Sequence, residues 1–292
     1  MKHSRYRGRF APSPTGPLHF GSLLTALGSY LAAKSRGGEW LLRMEDIDPP
    51  REMPGAADDI LRTLEAHHLH WDGPVHYQSR RLAAYDQALS QLARDGHSFP
   101  CSCTRKTLAG QPVYPGTCRD GLPAGTTARA LRVRAGDQVI RIDDRLHGPV
   151  EAHLGREVGD FVVRRADGLH AYHLAVVVDD AEQGITEIVR GADLLDCTPP
   201  QVHLQRLLGL PTPRYCHLPI AVNSRGEKLS KQTHAPAVER HNAAANLCDA
   251  LRFLGQHPDP ALAHESPDTI LRWALAHWDL NNIDTAQQVV DR

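Results

Sequence analysis

Three groups of residues have the types and spacing to do chemistry. The first is Arg9-Phe-Ala-Pro-Ser-Pro-Thr-Gly-Pro-Leu-His-Phe-Gly-Ser22, whose prolines, glycines and lone histidine make poor packing material. A strand over 6–11, a turn forced by Pro12, Pro14, Gly16 and Pro17, and a helix from Phe20 to about Arg36 would point free backbone N–H groups at whatever lies above the turn. That is a place for a phosphate. Gly21 would let a planar group approach the backbone, and His19 can donate a hydrogen bond to phosphate oxygens. Taken as dipeptides alone, the stretch is also readable as a Pro/Gly turn with a solvated histidine.

The second group is Cys101-Ser-Cys103 followed by Tyr114-Pro-Gly-Thr-Cys118. Zinc takes four tetrahedral donors, and this spacing supplies three thiolates within one loop. His97 is the orthodox fourth ligand, since imidazole is common on zinc and phenol rare; free thiols are the plainer alternative. The third group is Lys228-Leu-Ser-Lys231-Gln232 after the turn Asn223-Ser-Arg-Gly226, which alone reads as a solvated charge run.

Several elements must position these groups. Trp40 to Met44 reads as a buried parallel strand ending in Glu45-Asp46-Ile-Asp48, where open α/β sheets bind ligands. Asp46 and Asp48 could equally cap the next turn. Ile185 to Arg190 is a strand, and an arginine at its buried end is costly unless a structural or a ligand carboxylate meets it. Helical segments run from about 55 to 68, 81 to 95 and 199 to 208. Periodicity leaves Tyr172 to Asp180 open between strand and buried helix. Alternating runs at 130–134 and 139–143, and a further strand at 160–164, fill the middle of the chain. Their solvated arginines, like Arg80 and Arg81, could follow a phosphate backbone or simply face water.

The 292 residues, 41% hydrophobic and 23% charged, describe an ordinary globular protein with room for one large α/β domain and an insertion. A net charge of −1 means that a nucleic-acid partner would need a local basic surface. The opening Met1-Lys-His-Ser-Arg-Tyr-Arg has no apolar signal core and no apolar run reaches membrane length, so the cytoplasm is expected, with no membrane partner. Cys197, Cys216 and Cys248 are scattered and read as buried thiols.

His19-Phe20-Gly21-Ser22 resembles the His-Ile-Gly-His signature of class I aminoacyl-tRNA synthetases, with Ser22 in place of the last histidine. Arg9 to Gly16 resembles the form used by the glutamate and glutamine branch, Trp71-Asp…Tyr-Gln-Ser-Arg80 resembles another element of that branch, and Lys228 to Gln232 resembles the second signature, Lys-Met-Ser-Lys-Ser. The resemblance implies a Rossmann-like, doubly wound parallel sheet of α/β class over 1–98 and 169–235. A zinc-containing inserted connecting region would span 99–168, and a short helical C-terminal part 236–292.

It further implies that His19, Lys228 and Lys231 are catalytic and that His19, Gly21, Ser22 and Lys231 hold ATP, with Mg2+. Arg9, Phe10, Ala11, Pro12, Ser13, Glu45, Tyr172 and Arg190 would hold L-glutamate. Glu45 would take the α-amino group, and Asp46 and Asp48 would organise its loop. Two guanidinium groups on the side-chain carboxylate would also discriminate against glutamine. His217 to Pro219 would line the adenosine pocket. In the short glutamyl-synthetase-like proteins, the resemblance makes Tyr114 the fourth ligand of one structural zinc with Cys101, Cys103 and Cys118.

Only 60 residues follow Gln232, too few for the anticodon-reading region of a full glutamyl-tRNA synthetase. That matches the glutamyl-queuosine tRNA(Asp) synthetase family, whose members activate glutamate with ATP and transfer it to the queuosine base in the anticodon of tRNA(Asp). A monomer is the default. Two alternatives remain: a truncated glutamyl-tRNA synthetase loading the 3′ end, and a catalytically silent RNA-binding paralogue.

Overall fold

The computed structural model describes residues 5–229, 236–286 and 288–290. In chain order the elements are β1 (Arg7–Phe10), α1 (Phe20–Lys34), β2 (Glu39–Met44), α2 (Ala56–Ala66), β3 (His76–Tyr77), α3 (Leu82–Arg94), β4 (Ser98–Cys101) and β5 (Ala130–Val133). Next come β6 (Val139–Asp144), β7 (Gly148–His153), β8 (Phe161–Arg164), α4 (Tyr172–Glu182), β9 (Glu187–Gly191), α5 (Thr198–Leu208) and β10 (Arg214–Leu218). The remainder are β11 (Ala221–Val222), α6 (Ala243–Phe253), α7 (Pro267–His277) and β12 (Gln288–Val289).

Strands β1, β2 and β3 form one parallel sheet, and β9, β10 and β6 a second, which the antiparallel β7 extends. The two sheets meet where the Thr186 N–H, just before β9, donates to the Arg7 carbonyl at 2.9 Å. Helix α1 covers the junction, burying Leu23, Leu24, Leu27 and Leu31. Gly28 lets it lie flush on the sheet: a Cβ there would stand 2.5 Å from Leu218 Cδ1. Helix α6 backs α1, with Phe20 and Phe253 edge to face, and Trp273 and Trp278 pack half-buried against the same core.

Residues 172–182 are helix, which resolves the alternative that periodicity left open. The run Leu174 to Val177 is buried on consecutive positions between α3, α5 and the sheets, so no amphipathic stripe shows in the sequence. The stretch 99–168 divides in two. Strands β4, β5 and β8 make a small antiparallel sheet, whereas β6 runs parallel beside β10, Asp144 opposite Tyr215. Cys216 and Cys248 are buried free thiols and Cys197 is a half-buried one. Among the described residues no helix is long and apolar enough to cross a membrane.

Candidate active site

The C-terminal ends of β1, β2 and β9 and the segment after β10 open onto one cleft of about 720 Å³. It is lined by Arg9, Phe10, Ala11, Pro12 and Ser13 from the end of β1, by His19, Gly21 and Ser22 from the start of α1, and by Glu45, Tyr172, Arg190 and Lys228. Residues from four distant parts of the chain thus line one cleft. Lys231 lies outside the described residues. Backbone bonds strap the first segment to the loop after β2: Glu45 N–H donates to Pro12 O at 2.9 Å and Met53 N–H to Pro14 O at 3.0 Å.

Arg9 is buried and donates from Nε to Asp180 Oδ1 at 3.0 Å. The same carboxylate takes Arg43 Nη1 at 2.8 Å, and Arg43, fully buried, also donates to Gln183 Oε1 at 2.6 Å and to Glu45 Oε1 at 3.4 Å. Burial alone would raise the Asp180 carboxyl, but the charges of Arg43 and Arg9 outweigh it and hold the group below its ordinary value. At Glu45 burial prevails, and Arg43 and Arg9 offset it only in part, so this carboxyl is raised. Asp46 fastens the loop instead, accepting from the Ser79 N–H at 2.9 Å and the Ser79 hydroxyl at 2.6 Å. Asp48 makes no side-chain cap and pairs with Arg51 and Arg165. Neither Arg43 nor Asp180 stood out in the sequence. The signals available were an arginine inside the apolar run 40–44 and an aspartate pair closing the apolar run 174–178.

Arg190 ends up differently. Its donors go to His217 Nε2 at 3.1 Å, Gln201 Oε1 at 2.9 Å, Thr198 Oγ1 at 2.8 Å, Leu194 O at 3.3 Å and the Tyr172 hydroxyl at 3.5 Å. All five acceptors are neutral, and among the described residues no carboxylate pairs with this buried guanidinium. Burial outweighs Arg190 at Tyr172 and raises its phenol, which stays protonated. His173, next to it, is held down to about 4 by burial and by Arg190, so it adds no second cation at neutral pH.

His217 does not line the cleft. Its side chain is fully buried between Asp144 and Arg190, which corrects the expectation of an adenosine contact; Pro219 and Ile220, just beyond it, do face the cleft. At the start of α1 His19 caps the helix, its Nδ1 accepting from the Ser22 N–H at 3.3 Å while the Ser22 hydroxyl lies 3.1 Å from Nε2. Ser22 therefore orients the imidazole. A Cβ on Gly21 would crowd the His19 ring and the Leu229 carbonyl, each at 3.3 Å, so glycine keeps the two signature segments in contact. Lys228 forms an ion pair with Asp193 at the cleft mouth.

The cysteine group lies in the small sheet region, apart from the cleft. The sulfurs of Cys101, Cys103 and Cys118 lie within 4.8 Å of one another. The Tyr114 oxygen stands 3.5 Å from Cys101 Sγ and 3.7 Å from Cys103 Sγ, and Cys103 and Cys118 are 3.7 Å apart. Ligands at about 2.3 Å (sulfur) and 2.0 Å (oxygen) from a tetrahedral zinc would be separated by roughly these edges. The cluster could therefore hold zinc. Although burial opposes it, hydrogen bonds from Ser102 and Tyr114 bring the Cys118 thiol down to about 6. The Arg132 guanidinium donates to Cys101 Sγ at 3.3 Å and lies over the Tyr114 ring at 4.0 Å, a cation where thiolate charge would gather. His97 is not among the gathered donors; it lies near His203.

Residues 5–112 and 123–254 match the family of class I tRNA synthetases (E and Q), catalytic domain. The chain is 57% identical over 285 residues to the glutamyl-Q tRNA(Asp) synthetase of Thiobacillus denitrificans, covering 95% of each. It is 54% identical over 281 residues to that of Pseudomonas aeruginosa, covering 96% of each. Among solved structures, a glutamate-tRNA synthetase from Elizabethkingia anophelis superposes with a TM-score of 0.83 at 26% identity, over 99% of this chain and 68% of that one. Identity above one half along nearly the whole of both chains is far more than a shared fold requires, and the chain belongs to the glutamyl-Q tRNA(Asp) synthetase family within the class I (E and Q) synthetases.

Proposed function

We propose that the cleft activates L-glutamate with ATP and that the activated glutamate is passed to the queuosine base in the anticodon of tRNA(Asp). The observation that carries the glutamate assignment is Arg190: a buried cation supplied only with neutral acceptors on a cleft wall calls for an anionic ligand. Arg9, on the same wall, supplies a second guanidinium to the side-chain carboxylate, and Glu45 takes the α-ammonium. Phe10, Ala11, Pro12 and Ser13 shape the backbone around the substrate.

In the first step a glutamate α-carboxylate oxygen bonds to the α-phosphorus of ATP, the α–β bridging bond breaks and pyrophosphate leaves. His19, oriented by Ser22, and the N-terminus of α1 hold the phosphates, with Gly21 allowing the adenosine close. Lys228 and Lys231 neutralise charge growing on the leaving group. Mg2+ bound with ATP would supply further charge neutralisation there. In the second step a hydroxyl of the queuosine cyclopentene ring attacks the mixed anhydride, an ester forms, and AMP leaves with the displaced proton passing to water. One structural zinc on Cys101, Cys103, Tyr114 and Cys118 would stiffen the small sheet of β4, β5 and β8 within the inserted region 99–168, on the nucleic-acid side of the catalytic halves, 1–98 and 169–235.

The test uses labelled glutamate and ATP with two tRNA(Asp) preparations that differ only in carrying queuosine or unmodified guanosine. Label confined to the queuosine form, and kept after removal of the 3′ adenosine, supports the reading. Label on both forms, lost with that adenosine, replaces it by 3′-end aminoacylation; no glutamate-dependent ATP–pyrophosphate exchange would leave a binding protein.

A further inference from the structure

We propose that Asp144 and His217 are positioning residues for Arg190, fixing the imidazole as the Nδ1–H tautomer so that its bare Nε2 holds the guanidinium toward the cleft. The inference rests on the reading of Arg190 as a glutamate ligand, and it assigns work to two buried side chains that touch no substrate.

The three residues come from neighbouring strands. Asp144 ends β6, His217 lies in β10, and Arg190 stands opposite His217 in register on β9. Asp144 Oδ1 accepts from the Leu146 and His147 N–H groups at 3.0 and 3.1 Å, and its Oδ2 lies 2.7 Å from His217 Nδ1. Burial alone would raise this carboxyl, but the His217 bond and those N–H groups hold it at about 2, so Asp144 has no proton to give. The proton between them therefore sits on Nδ1. Nε2 is left as an acceptor, facing Arg190 Nε at 3.1 Å and the Thr198 hydroxyl at 3.2 Å.

The opposite tautomer would set N–H against N–H. A doubly protonated ring would set cation against cation, and burial, with Arg190 and His147 adding to it, outweighs Asp144 in lowering His217. Among the described residues those are the titratable groups that act on the ring; one face stacks on Tyr215 at 6.1 Å, and His147 Nε2 lies 3.0 Å from the His217 carbonyl. A histidine that only filled the core would be indifferent to which nitrogen carried the proton. Here the choice decides whether Arg190 is held or repelled.

Asp144→Asn is the discriminating change. The backbone N–H groups would keep the amide oxygen, its NH2 would face Nδ1, and the ring proton would be driven to Nε2. In glutamate-dependent ATP–pyrophosphate exchange we expect the KM for glutamate to rise about tenfold or more, with kcat and the KM for ATP within about threefold. Nitrogen-15 spectra of the histidines, with His217 assigned by difference, should show Nδ1–H in the parent protein and Nε2–H in the variant. The longer His217→Gln side chain can set its amide oxygen where Nε2 stood, against Arg190, whereas that of His217→Asn reaches only the Nδ1 position beside Asp144, so the second should have a KM about tenfold above the first.

An Nε2–H tautomer in the parent protein overturns the proposal without any variant. So does an unchanged glutamate KM in folded Asp144→Asn, or equal KM values for the two His217 variants. Absence of exchange in the parent protein would remove the functional reading, while the tautomer measurement would still judge the Asp144–His217–Arg190 arrangement.

Discussion

At the scale of single residues, the cleft is a problem in placing charge out of water. Arg43 shows the cost of the solution: fully buried, it binds Asp180, Glu45 and Gln183 at once. Arg43→Met should destabilise the protein by about 3–5 kcal/mol, because Asp180 and Glu45 would stay buried with less compensation; urea denaturation of the two proteins measures it. Glu45, raised by burial, takes up its proton at a higher pH than an exposed carboxylate. If Glu45 holds the α-ammonium as proposed, its carboxylate charge is lost early on acidification. We expect the KM for glutamate to climb as pH falls, beginning above the ordinary carboxylate range, and Glu45→Gln to give a high KM with no such climb; exchange kinetics across pH show which. His19, Glu45 and Arg190 stood out in the sequence because each lies at a strand end or a helix start in a patterned segment, whereas Arg9 was singled out only through the resemblance of 9–16 to the glutamate and glutamine branch. Arg43 was not, since one arginine inside an apolar run leaves no local pattern and its partner Asp180 lies 137 residues away.

At the scale of elements, helix α1 joins the cleft, where we propose the phosphates bind, to the core. Its sequence was readable because leucines recur at helical spacing, while the need for Gly28 became visible only with Leu218 beneath it. Gly28→Val should lower stability by about 1–3 kcal/mol through overpacking, and should also weaken ATP binding as the N-terminus tilts from the cleft; a thermal melt and the KM for ATP test both. Helix α4 was ambiguous for the opposite reason. It is buried on several sides, so the stripe by which a helix announces itself is missing, and only its contacts with α3 and α5 settle the assignment. The region 130–153 shows a further limit: alternating residues identify strands, but whether a strand joins the small sheet or the large one depends on partners far along the chain, as Asp144 and Tyr215 do.

At the scale of the whole molecule, the cleft and the cysteine cluster belong to separate sheets, and their chemistry should separate too. One zinc per chain is expected by metal analysis, and Tyr114→Phe should lose it faster to a chelator than the parent protein, whereas His97→Ala should not. Chelation should unsettle the region around β4, β5 and β8 and slow transfer to tRNA more than it slows pyrophosphate exchange; comparing the two rates on the same sample is the check. The two parallel sheets impose another order of events. Arg9 meets Asp180 across 171 residues of chain, and Arg43 meets it across 137. At roughly 5–20 residues per second, synthesis leaves those arginines without their carboxylate for roughly 10–30 s. During that interval β1, α1 and β2 have emerged with their apolar faces uncovered and two charges with nowhere to be buried. Slow codons ahead of Asp180 would lengthen that interval, and we expect them to lower the yield of folded enzyme without altering a single residue of it.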